Sequence, residues 1–328
     1  MLTRRDFAKS MLAAVPVAAA VAPQAQAQNR VAKNASKFGG VQIGVQTYSY
    51  RALRDFTKPL DLAGQKRLVD QMTEAIVKDQ INACEFWINF IEPTGPTYSR
   101  AGTTPAMLAN REALRKWRAS HPMEIFEYAR NTMTGAGIDI YSAMFNLTDY
   151  IADEEIDSAF ETAKALGTNI VTANCTVKSI KRAAPFADKH KIYLAAHSEN
   201  AAFDDKIDGM VFGNNLVDAL EYSPYMRITL DTGHFTAYGG DALKFVREHH
   251  DKIVNLHLKD RLKNHPEPHT DENTPEFGKG DAPIKEILQL MKREKYPFAA
   301  TIEYEYKSDR PAVEEVRRCV EYAKAALA

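Results

Sequence analysis

Apolar residues fall along this chain in two alternating rhythms. Short runs with successive apolar positions read as β-strands covered on both faces. They lie over Gln42–Tyr48, Asn82–Trp87, Asp139–Ala143, Ile170–Asn174, Ile192–His197, Ile228–Asp231, Ile253–His257 and Ala299–Tyr304. Between them the apolar spacing is that of one helix face. It predicts amphipathic helices over Leu62–Lys78, Glu124–Thr134, Glu154–Leu166, Leu216–Tyr222, Ala242–His249 and Ile284–Arg293, with Glu314–Leu327 after the last strand. Ala136-Gly137 and Leu166-Gly167 supply helix stops before the third and fourth strands. Eight strands, each followed by a helix or a long loop, predict an α/β chain folded as a (β/α)8 TIM barrel. A doubly wound open sheet is the rival, weakened because no G-x-G-x-x-G follows the first strand. Ile88–Arg111, rich in Pro, Thr and Asn, reads either as a lid over the barrel mouth or as a surface loop.

Residues 1–27 stand outside this rhythm. Arg4-Arg5-Asp6-Phe7-Ala8-Lys9 precedes a soft apolar run from Met11 to about Ala22, and Ala25-Gln26-Ala27 follows. That order is a charged region, an apolar region and an A-x-A cleavage site. The paired arginines resemble the twin-arginine export signal, whose RRxFxK pattern is matched at every fixed position. The expected organisation is a leader over 1–27, a polar linker over 28–38 and a barrel over 39–328, with a periplasmic location. Removal of the leader leaves 301 residues with net charge −3. That charge argues against a nucleic-acid partner. No apolar stretch is long enough to span a bilayer, so no membrane partner is expected once the leader is gone. Cys84, Cys175 and Cys319 are scattered and odd in number, and define neither a disulfide framework nor a Cys-based zinc site.

In such a barrel, chemistry gathers where the strands end. Glu85 and Trp87 close the second strand. Asn146 and Asn174 follow at the third and fourth, and His197-Ser198-Glu199-Asn200 at the fifth. Asp231-Thr232-Gly233-His234 ends the sixth strand and His257-Leu258-Lys259-Asp260-Arg261 the seventh, while Glu303 and Glu305 lie on the eighth. Each of strands five to eight is an apolar run that stops at a carboxylate or an imidazole. Burying those groups unpaired costs several kcal/mol each, and a shared divalent cation removes that cost. Glu199, Asp231, His257 and Glu303 form the expected metal set. Three oxygens and one nitrogen suit Mn2+ first, with Mg2+, Co2+ or Zn2+ as alternatives.

DTGH at 231–234, HLKDR at 257–261, SEN at 198–200 and IEYE at 302–305 resemble the xylose-isomerase-like barrels. That superfamily holds sugar and sugar-phosphate isomerases and epimerases, and AP endonuclease. In its epimerase branch, the metal is held at positions matching Glu199, Asp231, His257 and Glu303. The resemblance further implies that His234 and Arg261 contact substrate oxygens, and that Glu199 and Glu303 are the catalytic acid/base pair. Two departures stay open: His197, on the same face as Glu199, replaces or joins it, and Glu305 competes with Glu303. Lys259 reads either as a contact to a sugar oxygen or as a local ion pair with Asp260. Tyr48, Trp87 and Phe145 read as platforms for a sugar ring or as core and rim fillers. The loop Pro275–Asp281 reads as the approach to the next helix, capped by Asp281.

The activity implied is metal-dependent isomerisation or epimerisation of a hydroxy-carbonyl carbohydrate through enolisation. The alternative is cleavage of a 3-keto-glycoside by β-elimination from the same acidified carbon. A non-catalytic sugar-binding barrel and an AP endonuclease are the remaining readings. A homo-oligomer is compatible with all of them.

Overall fold

Eight parallel strands close on themselves in the computed structural model, which describes residues 30–97, 102–198, 214–263 and 273–328. They are β1 (Val41–Gln46), β2 (Ala83–Trp87), β3 (Asp139–Leu147), β4 (Ile170–Cys175), β5 (Tyr193–His197), β6 (Met226–Asp231), β7 (Ile253–Leu258) and β8 (Ala299–Ile302). Each pairs with its neighbour in sequence, and β1 pairs with β8 through Ile43–Ala300 and Val45–Ile302. The sheet is therefore a barrel with no open edge, and the doubly wound rival is excluded. The eight strands expected from the apolar runs are all present. The leader read over 1–27 and the candidate ligand Glu199 lie outside the described residues.

The helical layer follows from the amphipathic faces. Helix α1 (Leu62–Lys78) turns Leu68, Val69, Met72 and Ile76 inward, and Asp61 Oδ1 caps its start by accepting from the Gly64 amide at 2.7 Å. Helix α2 (Pro105–Ala119) occupies part of the stretch read as a lid or loop. Thr104 caps it, Pro105 opens it, and only Leu114 and Arg118 are buried, so its sequence carries a weak period. Ile88–Ile91, from the same stretch, is a buried 3-10 turn. α3 (Met123–Gly135) and α4 (Asp153–Leu166) match the expected spans within a residue, and Gly167 ends α4 at φ 82°. α5 (Val177–His190) has no counterpart among the expected helices.

A short arm closes the N-terminal end of the barrel. Lys37–Phe38 pairs antiparallel with Val41–Gln42 across Gly39 and Gly40, at φ 54° and 90°. A two-residue turn with both φ values positive matches the strand twist and needs glycine. Ser36 Oγ donates to the Ile43 carbonyl at 2.7 Å, and the Asn82 side chain accepts from the Ser36 amide at 2.9 Å. Val31 and Ser36, within the stretch read as a linker, are buried.

Candidate functional site

Side chains alternate across each strand, so residues two apart share the barrel interior. On β7 and its continuation these are Asn255, His257 and Lys259. On β8 and its continuation they are Thr301, Glu303 and Glu305. The register sets Asp231 beside His257, His257 beside Thr301, and His197 beside Asn174. One layer at the C-terminal end thus receives His197, Asp231, His257 and Glu303. Each of the four offers a ligand atom, and these atoms lie within 4.8 Å of one another. All four residues are buried.

The described set therefore has two nitrogens and two oxygens. His197 supplies the strand-five member of the described set, and Glu199 lies outside the described residues. Its Nε2 is 3.7 Å from Asp231 Oδ2, beyond hydrogen-bond reach, and neither ring nitrogen makes a hydrogen bond. His257 Nδ1 is 3.0 Å from Glu303 Oε2 and 4.0 Å from Asp231 Oδ2. None of Asp231 Oδ2, His257 Nδ1 and Glu303 Oε2 reaches hydrogen-bonding geometry. Buried polar atoms without hydrogen bonds are rare in folded proteins. Their convergence on one point is what a divalent cation requires, and the donor types suit Mn2+, Co2+ or Zn2+.

Lys259 lies at the centre of the charges. Its Nζ is 3.1 Å from Asp231 Oδ2, 3.0 Å from Glu303 Oε2 and 2.9 Å from Glu305 Oε2. Burial would lower the pKa of this ammonium, but Asp231 and Glu303 beside it raise it well above the ordinary lysine value. The reading of Lys259 and Asp260 as a local ion pair is thereby corrected. Asp260 turns away and accepts from the amides of Gly278 (2.8 Å), Gly280 (3.0 Å) and Ala282 (3.1 Å), pinning the loop before the next helix. Asp281 does not cap that helix either; its Oδ2 accepts from the Lys263 amide at 2.8 Å. The helix (Ile284–Glu294) begins after Pro283 with no side-chain cap.

Burial would also raise Glu303, yet Lys259 and His257 hold it well below the usual carboxylate range. His257 is pushed up to about 10: burial opposes its charge, and Glu85 and Glu303 on either side overcome that. His234 is held well below the ordinary imidazole value by burial, with Lys259 and Arg261 adding to the effect. Its neutral Nε2 accepts from Lys259 Nζ at 3.1 Å. The carboxylates of Glu85, Asp231, Glu303 and Glu305 face the cations of His257, Lys259 and Arg261, leaving one negative charge in excess. A divalent ion taken up in place of one proton on His257 would bring this group of residues to neutrality.

Glu305 pairs with Lys259 and with Arg261, whose Nη2 is 3.0 Å away, and stands apart from the four-residue set. Trp87 ends β2 in an aromatic cluster, with Tyr48 edge-on at 5.0 Å and Phe56 at 5.7 Å. Burial raises the Tyr48 phenol, and the negative charge of Glu305 adds to the effect. Phe145 does not belong there; it lies under the Arg118 guanidinium at 4.7 Å, in the helical layer. One functional candidate received no role from the sequence: Glu85, whose Oε2 is 2.5 Å from His257 Nε2.

The family model for the xylose isomerase-like TIM barrel matches residues 109–325. No curated protein matches the sequence. Among solved structures, the probable 3-DHS dehydratase AsbF of Bacillus anthracis is 12% identical at TM-score 0.58, over 86% of this chain and 99% of that one. D-psicose 3-epimerase of Clostridium cellulolyticum H10, solved with D-tagatose, is 12% identical at TM-score 0.55, over 88% of this chain and 99% of that one. The IolI protein, solved with a bound zinc atom, is 13% identical at TM-score 0.53, over 88% of this chain and 98% of that one. At these identities the likeness establishes the fold.

Proposed function

The chain belongs to the xylose isomerase-like TIM barrel family, and from that membership we propose a divalent-metal-dependent isomerase or epimerase acting on a hydroxy-carbonyl carbohydrate. The reading is carried by the buried convergence of His197, Asp231, His257 and Glu303. A divalent ion held by these residues supplies Lewis-acid polarisation of a substrate carbonyl, which acidifies the adjacent C–H. The occurrence of this fold in a D-psicose 3-epimerase, and of a zinc atom in IolI, supports the proposal.

Glu303 is the proposed base. It is ionised at neutral pH, and its backbone amide donates to the Leu258 carbonyl at 3.1 Å, which anchors the residue against β7. For an aldose–ketose pair it would take the proton from the α-carbon and deliver it to the former carbonyl carbon as one proton passes between the two oxygens. For an epimer the replacement proton would come from the opposite face. Glu199, assigned by family resemblance, is the proposed second carboxylate for transfer on the opposite face. Lys259 and His234 are the proposed hosts of a substrate oxygen, because their 3.1 Å contact is one that a hydroxyl between them can replace. Arg261 is the proposed contact for an oxygen further along the chain, and Trp87 with Tyr48 for the apolar face of the sugar.

The test is incubation of the Mn2+-loaded protein with free ketoses in D2O, read by NMR. Deuterium is expected at the carbon next to the carbonyl, together with an epimer or an aldose–ketose pair. Glu303→Gln should slow that exchange by about 10²–10⁴-fold. Absence of exchange with every ketose, alongside release of aglycone from a 3-keto-glucoside, overturns the isomerase reading in favour of β-elimination.

A further inference from the structure

Glu85 is fully buried on β2, and its carboxylate lies under His257. Oε1 accepts from Thr172 Oγ1 at 2.6 Å, Ser142 Oγ at 3.1 Å and Asn255 Nδ2 at 3.1 Å. Oε2 faces His257 Nε2 at 2.5 Å. The partners of Glu85 thus come from β3, β4 and β7. Asn255 is fixed in turn, its Oδ1 accepting from Thr301 Oγ1 at 2.6 Å and from Tyr141 Oη at 3.2 Å. A carboxylate held by three donors has no freedom to leave the imidazole. With three donors held on Oε1, the carboxylate presents Oε2 to the imidazole as an acceptor.

An acceptor at Nε2 settles the chemistry of the ring. The imidazole carries a proton on Nε2, so the lone pair of the neutral ring lies on Nδ1. Nδ1 is the atom that faces Glu303 and Asp231. Carboxylates in this relation to a metal-binding histidine fix its tautomer and raise its donor strength. We propose that Glu85 is the positioning residue of the metal centre, holding His257 as the Nε2–H tautomer so that Nδ1 is the ligand atom. The proposal rests on the metal-centre reading above and adds the residue that orients one of its ligands.

Glu85→Gln tests it with little change in shape. The Gln side-chain oxygen keeps the Ser142, Thr172 and Asn255 donors, and its NH2 group then points at His257 Nε2. The ring must accept there, and its proton moves to Nδ1, against the ion. The variant should bind Zn2+ about 10–100-fold more weakly than wild type in a chelator competition. Ser142→Ala, which removes one support of Oε1 and leaves the His257 contact, should stay within about threefold of wild type.

Long-range 1H–15N correlation on the Zn2+-loaded wild type reads the tautomer directly. It should show His257 protonated at Nε2, with that proton protected from exchange. This measurement decides even if the Gln variant does not fold. A His257 proton on Nδ1, or unchanged Zn2+ affinity in folded Glu85→Gln, overturns the role of Glu85 and leaves the metal centre standing. Wild-type protein that binds no divalent ion overturns the metal centre itself, and the role of Glu85 with it.

Discussion

Replacing Lys259 with Met should separate the stability of the metal-free protein from that of the metal-loaded one. Met keeps most of the aliphatic stem and removes the ammonium. In the metal-free protein, Asp231 Oδ2, Glu303 Oε2 and Glu305 Oε2 then lose a cation that lies within 3.1 Å of each. Breaking a buried ion pair by removing one partner costs about 3–5 kcal/mol, since the remaining charge is uncompensated. At about 2 °C per kcal/mol for a chain of this size, the metal-stripped variant should melt about 6–10 °C below wild type. A divalent ion replaces the missing charge. At 100 times its dissociation constant it contributes about 2.7 kcal/mol to any protein that binds it only when folded. The variant should bind it more tightly than wild type, because a competing cation has gone. Its melting temperature should therefore rise more on loading. The assay is scanning calorimetry of both proteins, stripped and then titrated with Mn2+. A stripped variant within about 1 kcal/mol of wild type would refute the claim that Lys259 compensates these carboxylates. Equal metal-induced shifts would refute the claim that it competes with the ion.

Burial pushes the Asp79 carboxyl up to about 7, against Tyr50 Oη at 2.8 Å and Arg317 at 3.5 Å, which act to lower it. The folded chain thus keeps this proton at a pH where the unfolded chain has lost it, so stability falls as pH rises from about 4 to about 7. Asp79→Asn lacks that dependence, and urea melts should show it gaining about 2–3 kcal/mol on wild type between pH 5 and pH 8; parallel pH profiles would remove the buried carboxyl from the explanation. Gly233→Ala would place a Cβ 2.8 Å from the Lys259 carbonyl oxygen and from Arg261 Cγ. The segment after β7 must shift, so the variant should bind metal about tenfold or more weakly, read by the same chelator competition; unchanged affinity would show that the segment tolerates the methyl group.

Much of this fold could be read from the sequence because its strands are buried on both faces. Continuous apolar runs such as Ile253–Leu258 need no partner to be recognised. Helices were legible in proportion to the size of their buried side chains. α1 presents Leu68, Met72 and Ile76 and was found within its observed limits. α5 escaped because it buries mainly Ala183, Ala184 and Ala187 and carries Pro185, which argues against a helix interior. α2 escaped because it buries so little. At the site, Asp231, His257 and Glu303 were legible as the polar stops of apolar strands. The relation of His197 to Glu199 was not, since a two-residue step leaves both on one face and Glu199 lies outside the described residues. Lys259 and Asp260 looked like neighbours in one pair, yet successive residues point oppositely, and each found its partners elsewhere.

The Glu85 contact lay furthest from view, because 172 residues separate the carboxylate from His257. Only barrel closure brings β2 and β7 to opposite sides of the same interior layer. The polar residues then order themselves by depth. Tyr141, Asn255 and Thr301 hold one another below, Glu85 is fixed upon Asn255, His257 upon Glu85, and Nδ1 of His257 faces Asp231 and Glu303 above. On the proposal above, each level orients the next, so loss of the Glu85 contact would reach the proposed ligand atom without any displacement of the strands. An apolar core would support the same strands but would leave the His257 ring free to present either nitrogen. The polar column therefore fits the proposed role of His257 Nδ1 as a ligand atom better than it fits the demands of the fold.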